Sequence, residues 1–74
     1  MIIFTHHSLA KLQQRNIKKS AVVETIKNPN HIIKTYGNRI VIFKKFDKLY
    51  LKVVFKKEKK NTIIITQHWT RKLI

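Results

Sequence analysis

The spacing of apolar positions changes near the middle of the chain and divides it into a helical and an extended part. Between His6 and Gln14 the apolar residues fall at Leu9, Ala10 and Leu12, with Ile17 beyond them. That is helical rather than alternating spacing, and it predicts a helix over about 6–15. Asn16 tolerates left-handed backbone and so can end the helix. A second helix is predicted over 19–27, with Ala21, Val22, Val23 and Ile26 as its inner stripe. Asn28-Pro29-Asn30 stops it, because proline cannot continue the hydrogen-bond ladder.

After Pro29 the period becomes two. Residues 31–36 read as a strand and Gly37-Asn38 as a hairpin turn. A second strand covers 39–46, Asp47-Lys48 turns the chain, and a third covers 49–57. In that third strand Leu49, Leu51, Val53 and Phe55 point one way, and Tyr50, Lys52, Val54 and Lys56 the other. The polar run Lys56 to Asn61 reads as a solvated hairpin tip, followed by a strand over 62–69 and a basic tail to Ile74. Met1 to Thr5 is either a short edge strand or a lead-in. The expected fold class is α+β: two N-terminal helices packed on one face of a four-stranded antiparallel sheet. The other face is left partly open, with Tyr50, Lys52, Thr66 and His68 upon it.

With 74 residues the chain closes one hydrophobic core, so residues 1–74 are expected to form a single domain. Hydrophobic residues make up 43%, a globular proportion. There is no cysteine, which excludes disulfides and cysteine-based zinc sites and leans towards the cytoplasm. The N-terminus lacks the basic start and cleavage site of a signal peptide. The longest apolar runs, such as Ile40 to Phe43, are about four residues, where a membrane helix needs roughly 20. The expectation is a soluble, cytoplasmic protein.

Charge alters the picture most. Seventeen Lys and Arg against three acids (Glu24, Asp47 and Glu58) give a net charge of +14. A small designed domain carries a magnitude of ~2–8. Such a field attracts polyanions and speeds encounter with them. Nucleic acid, with RNA foremost, is the expected partner, although a proteome rich in Lys and Ile produces basic surfaces too. Lys44, Lys45, Lys56 and Arg39 are the candidate phosphate contacts, with Tyr50 and Tyr36 offering rings for base stacking.

The candidate chemistry follows from what is scarce. The histidines and acids include no metal-ligand pair at helical spacing, so neither metal nor cofactor is expected. Gly37 stands alone, which excludes a glycine-rich phosphate loop. A Ser-His-Asp triad is poorly supported, since Ser8 and Ser20 lie at helix starts and the one Asp in a turn. Metal-independent RNA cleavage suits the remaining residues, because the RNA supplies its own 2′-hydroxyl as nucleophile. The protein then needs a proton acceptor, a proton donor and cations around the phosphate. His7, Lys11, Arg15, Lys52 and His68 are the right types. His7, Lys11 and Arg15, spaced four apart, share one helix face as an anion-binding strip or as an ordinary solvated face. One of His6 and His7 is expected to sit at the helix start. Trp69 is expected in the core.

The stretch His7-Ser8-Leu9-Ala10-Lys11-Leu12-Gln13-Gln14-Arg15-Asn16-Ile17 resembles the opening H-A-x-x-R-x-x-x-R-G-I of a small prokaryotic family of domains of unknown function, family 4258. The resemblance continues through Val22, Ile26 and Asn28-Pro29. It resumes at Ile63-Ile64-Ile65-Thr66 and aromatic Trp69, similar to that family's V-V-V-T ending. The family in turn looks like a relative of the RelE/ParE-like toxins, which share the two-helix, four-strand order. What the resemblance implies is an RNase-type site at His7, Lys11 and Arg15, or a toxin neutralised by an acidic antitoxin protein. Lys11 stands where the family has Arg, which keeps charge but loses the bidentate fork. Asn16 stands where it has Gly, a milder change.

Three functions follow as expectations. The first is a RelE-like toxin acting as a metal-independent endoribonuclease, with or without the ribosome, in a toxin–antitoxin pair. The second is a non-catalytic RNA- or DNA-binding module. The third is a ParE-like toxin that inhibits a protein target. A thin core and an open sheet edge also allow a homodimer.

Overall fold

The computed structural model describes residues 1–35 and 37–73. In chain order the elements are β1 (Ile2–Phe4), α1 (His6–Gln14), α2 (Lys19–Lys27), β2 (His31–Lys34), β3 (Arg39–Phe46), β4 (Leu49–Glu58) and β5 (Asn61–Thr70). Tyr36, offered above as the end of a strand and as a stacking ring, lies outside the described residues.

The expected four-stranded antiparallel sheet under two N-terminal helices is not what forms. The chain opens on a strand, and the sheet has five strands in the order β1-β5-β4-β3-β2. It is mixed, because β1 runs parallel to β5 with Ile2 opposite Thr62 and Phe4 opposite Ile64. Three residues are too few to display a period of two. A parallel partner also requires no local turn to announce it. The lead-in is fixed instead by backbone bonds from Thr62 N to Met1 O (2.8 Å) and from Thr5 N to Ile64 O (3.3 Å).

The hairpins follow from their turn residues. Gly37 and Asn38 both have positive φ, 66° and 63°, the left-handed backbone that glycine and asparagine tolerate best in a turn. Asp47 (φ 60°) does the same between β3 and β4. The polar run after Lys56 is not a long loop. Strand pairing continues to Glu58 opposite Asn61, and only Lys59 and Lys60 form the turn.

His6 is the first residue of helix α1, as expected of one of the two histidines, but the cap is Thr5. The Thr5 Oγ1 accepts a hydrogen bond from Ser8 N at 3.1 Å, satisfying one of the free N–H groups of the first turn. Asn16 takes a left-handed φ of 54° immediately after the helix. The helices and the link between them then bury Leu12, Ile17 and Val22 against Ile42, Leu51, Val53, Phe55 and Ile64. Trp69 packs beside this core, edge-on to Phe46 with ring centres 5.9 Å apart.

Two polar side chains are fully buried where α1 meets β5. Ser8 Oγ donates to Gln67 Oε1 at 2.6 Å, and Gln67 Nε2 donates back to Ser8 O at 2.9 Å. The pair fixes both the height and the rotation of α1 against the sheet. Among the described residues no buried side-chain nitrogen or oxygen is left without a partner.

Candidate functional site

The face of the sheet turned away from the helices is built by alternation. Register sets Phe43 opposite Lys52, Lys52 opposite His68, and His31 opposite Phe43, so these four residues form one row across β2, β3, β4 and β5. The neighbouring row carries Lys45, Tyr50 and Thr70. A bulge between Val54 and Phe55 adds Ile65 to β5 without a partner, so Thr66 pairs with Val54 and shares the face of His68.

Helix α1 reaches this face around an edge. β1 pairs only with residues 62–64 of β5, leaving the later part of β5 without a neighbouring strand on that side. Arg15, at the C-cap of α1, covers it. Its Nη1 donates to Gln67 O at 2.7 Å and to Thr66 Oγ1 at 3.4 Å. Arg15 is half-buried there, and its charge adjoins His68.

His68 is therefore a half-buried imidazole with a cation on either side, Lys52 on the next strand and Arg15 at the edge. Its pKa lies below the ordinary 6.5, first because burial disfavours the charged ring, then because Lys52 and Arg15 repel a proton. A neutral imidazole can accept a proton at neutral pH, while the two cations remain available to an anion.

The structure thus brings together three of the five candidate catalytic residues, Arg15, Lys52 and His68. The other two stand apart from them. His7 is exposed on α1, and Lys11 turns its ammonium to Gln14 Oε1 at 3.0 Å within the helix. Among the candidate nucleic-acid contacts, Lys45, Tyr50, Lys56 and Arg39 lie on the open face. Lys44 does not. It projects to the helix side, where its Nζ donates to Asn28 O at 3.1 Å and lies 4.0 Å from Glu24. Lys56 is paired with Glu58 at 3.0 Å, whereas Arg39, Lys45 and Lys52 are in no ion pair among the described residues.

Thr66, expected on this face, holds Arg15. His31 and Phe43, which sequence reasoning did not single out, extend the His68 row. The two-residue turn at Asp47-Lys48 carries the signal for Phe43, because counting back from it aligns Phe43 with Lys52. No group of three His, Cys, Asp or Glu side chains that could hold a metal occurs among the described residues. No described helix is long and apolar enough to cross a membrane.

A family model described as Domain of unknown function (DUF4258) matches residues 4–66. The chain belongs to this family. No curated protein and no solved structure matches it. The DUF4258 span begins in β1 and ends in β5, so it includes Arg15, Lys52 and Thr66 and stops short of His68.

Proposed function

We propose that this DUF4258 protein is a metal-independent endoribonuclease of the RelE-like toxin type, with Arg15, Lys52 and His68 as its site. The observation that carries the reading is a half-buried imidazole held between two cations, Lys52 and Arg15, on an open sheet face. His68 would take the proton of a ribose 2′-hydroxyl as that oxygen attacks the adjacent phosphorus. Lys52 and Arg15 would stabilise the charge that gathers on the phosphoryl oxygens. The bond from phosphorus to the 5′-oxygen then breaks, and that oxygen takes a proton from solvent. The products are a 2′,3′-cyclic phosphate and a free 5′-hydroxyl. DNA, lacking the 2′-hydroxyl, would be spared.

The partner is part of the same proposal: an acidic antitoxin-type protein that masks the +14 charge. The outer edge of β2 supports it. All four residues of that strand are exposed, with Ile32 at 61% and Ile33 at 43%, and an uncovered edge strand readily accepts another strand.

Purified protein incubated with RNA in EDTA, alone and with ribosomes, tests the activity. The expected result is cleavage under at least one of these conditions. RNA left intact under both removes the nuclease reading.

A further inference from the structure

The face opposite the helices carries a small apolar floor of its own. Phe43 lies on that face yet is fully buried, although it is not part of the core cluster under the helices. Its cover comes from neighbours on the same face, with Lys52 Nζ 5.9 Å above its ring. Beside it the rings of His31 and Tyr50 meet edge to face, their centres 6.0 Å apart and their planes at 65°. This arrangement suits the quadrupoles of the two rings and restrains both. Lys45 Nζ lies 5.8 Å from the Tyr50 ring centre, so a cation already sits over that ring.

We propose that Tyr50, braced by His31, is a base-stacking subsite for single-stranded RNA next to the phosphate site at Lys52 and His68. The inference rests on the RNA reading above and adds where a base is held. Tyr50 lies two residues from Lys52 on β4 and on the same face, about 7 Å away along a strand. A nucleotide whose phosphate lies between Lys52 and His68 thus brings its own or the adjacent base within reach of the ring. Lys45, opposite Tyr50 in register, is placed to hold the next phosphate. Aromatic stacking accepts any base, and a duplex keeps its bases stacked inside, so the subsite selects single strands.

Binding of an uncleavable 2′-O-methyl RNA oligonucleotide measures the subsite separately from catalysis. Wild-type protein and Tyr50→Phe are expected to bind alike, and Tyr50→Leu on the order of tenfold more weakly. Melting curves establish that the Leu variant is folded. Should it not fold, wild-type protein supplies the measurement alone, by binding the intact oligonucleotide on the order of tenfold tighter than an abasic backbone of equal length. Wild-type binding that is indifferent both to the Leu substitution and to loss of the bases overturns the subsite and leaves the RNA reading in place. No binding by the wild type overturns both.

Discussion

Arg15 and Gln67 are joined by one short hydrogen bond, from the Arg15 guanidinium to the Gln67 carbonyl oxygen at 2.7 Å, and through it the end of α1 is tied to the free edge of β5. The same bond brings the guanidinium beside His68, the next residue along. One side chain thus closes a sheet edge and charges the candidate site. Arg15→Gln is expected to lose about 1.5–3 kcal/mol of stability, the range for a hydrogen bond to a charged group, and to lower the melting temperature. The His68 pKa, followed by NMR titration, should rise in that variant because one of its two repelling cations is gone. An unchanged pKa would show that Arg15 acts on the edge alone.

The Ser8–Gln67 pair gives a contrast between single and double replacement. Ser8→Ala leaves the fully buried Gln67 Oε1 without its donor, at an expected cost of about 1–3 kcal/mol in denaturant unfolding. In a Ser8→Ala, Gln67→Leu double variant the side-chain polar atoms are gone from both positions. Its loss is expected to be smaller than the sum of the two single losses.

Much of this arrangement was legible before the structure. Asn16, Pro29, Gly37 and Asp47 punctuate the chain where turn chemistry demands, and Leu49 to Lys56 alternates as a strand with one covered face. An edge strand at Met1 to Thr5 was one of two readings, but its parallel pairing was not legible, because the partner of Ile2, Ile3 and Phe4 is β5, at the far end of the chain. Within the site, His68 and Lys52 followed from alternation once the strands were paired. Arg15 followed from residue type, but its place beside His68 did not, since that depends on how little of β5 the strand β1 covers. The row His7-Lys11-Arg15 holds as a helix face, yet only its last member reaches the sheet. Gln67 gave no signal, because a polar residue in an alternating strand reads as solvent-facing until Ser8 is found above it.

The depressed His68 pKa fixes a sign for the pH dependence of stability. The folded protein binds this proton less readily than the unfolded chain, whose histidine titrates near the ordinary 6.5. Between the two pKa values the unfolded state carries more protons, so stability rises with pH through that window. The contribution is present above 6.5 and lost as pH falls through the lower, folded value. In His68→Gln the pH dependence of the melting temperature below 6.5 should flatten. A wild-type and variant slope that coincide would mean that His68 is not perturbed in the fold.

The proposed proton transfer from the RNA to His68 leaves its mark in the chemistry of the cut ends. Labelled RNA is incubated in EDTA with wild-type protein and with His68→Ala, and the new 3′ ends are identified. The expected ends are 2′,3′-cyclic phosphates with the wild type, and the rate in the variant is expected to fall on the order of 10²-fold or more, the usual worth of a positioned general base. Equal cleavage by both proteins, or ends that carry a free 3′-hydroxyl, would contradict it.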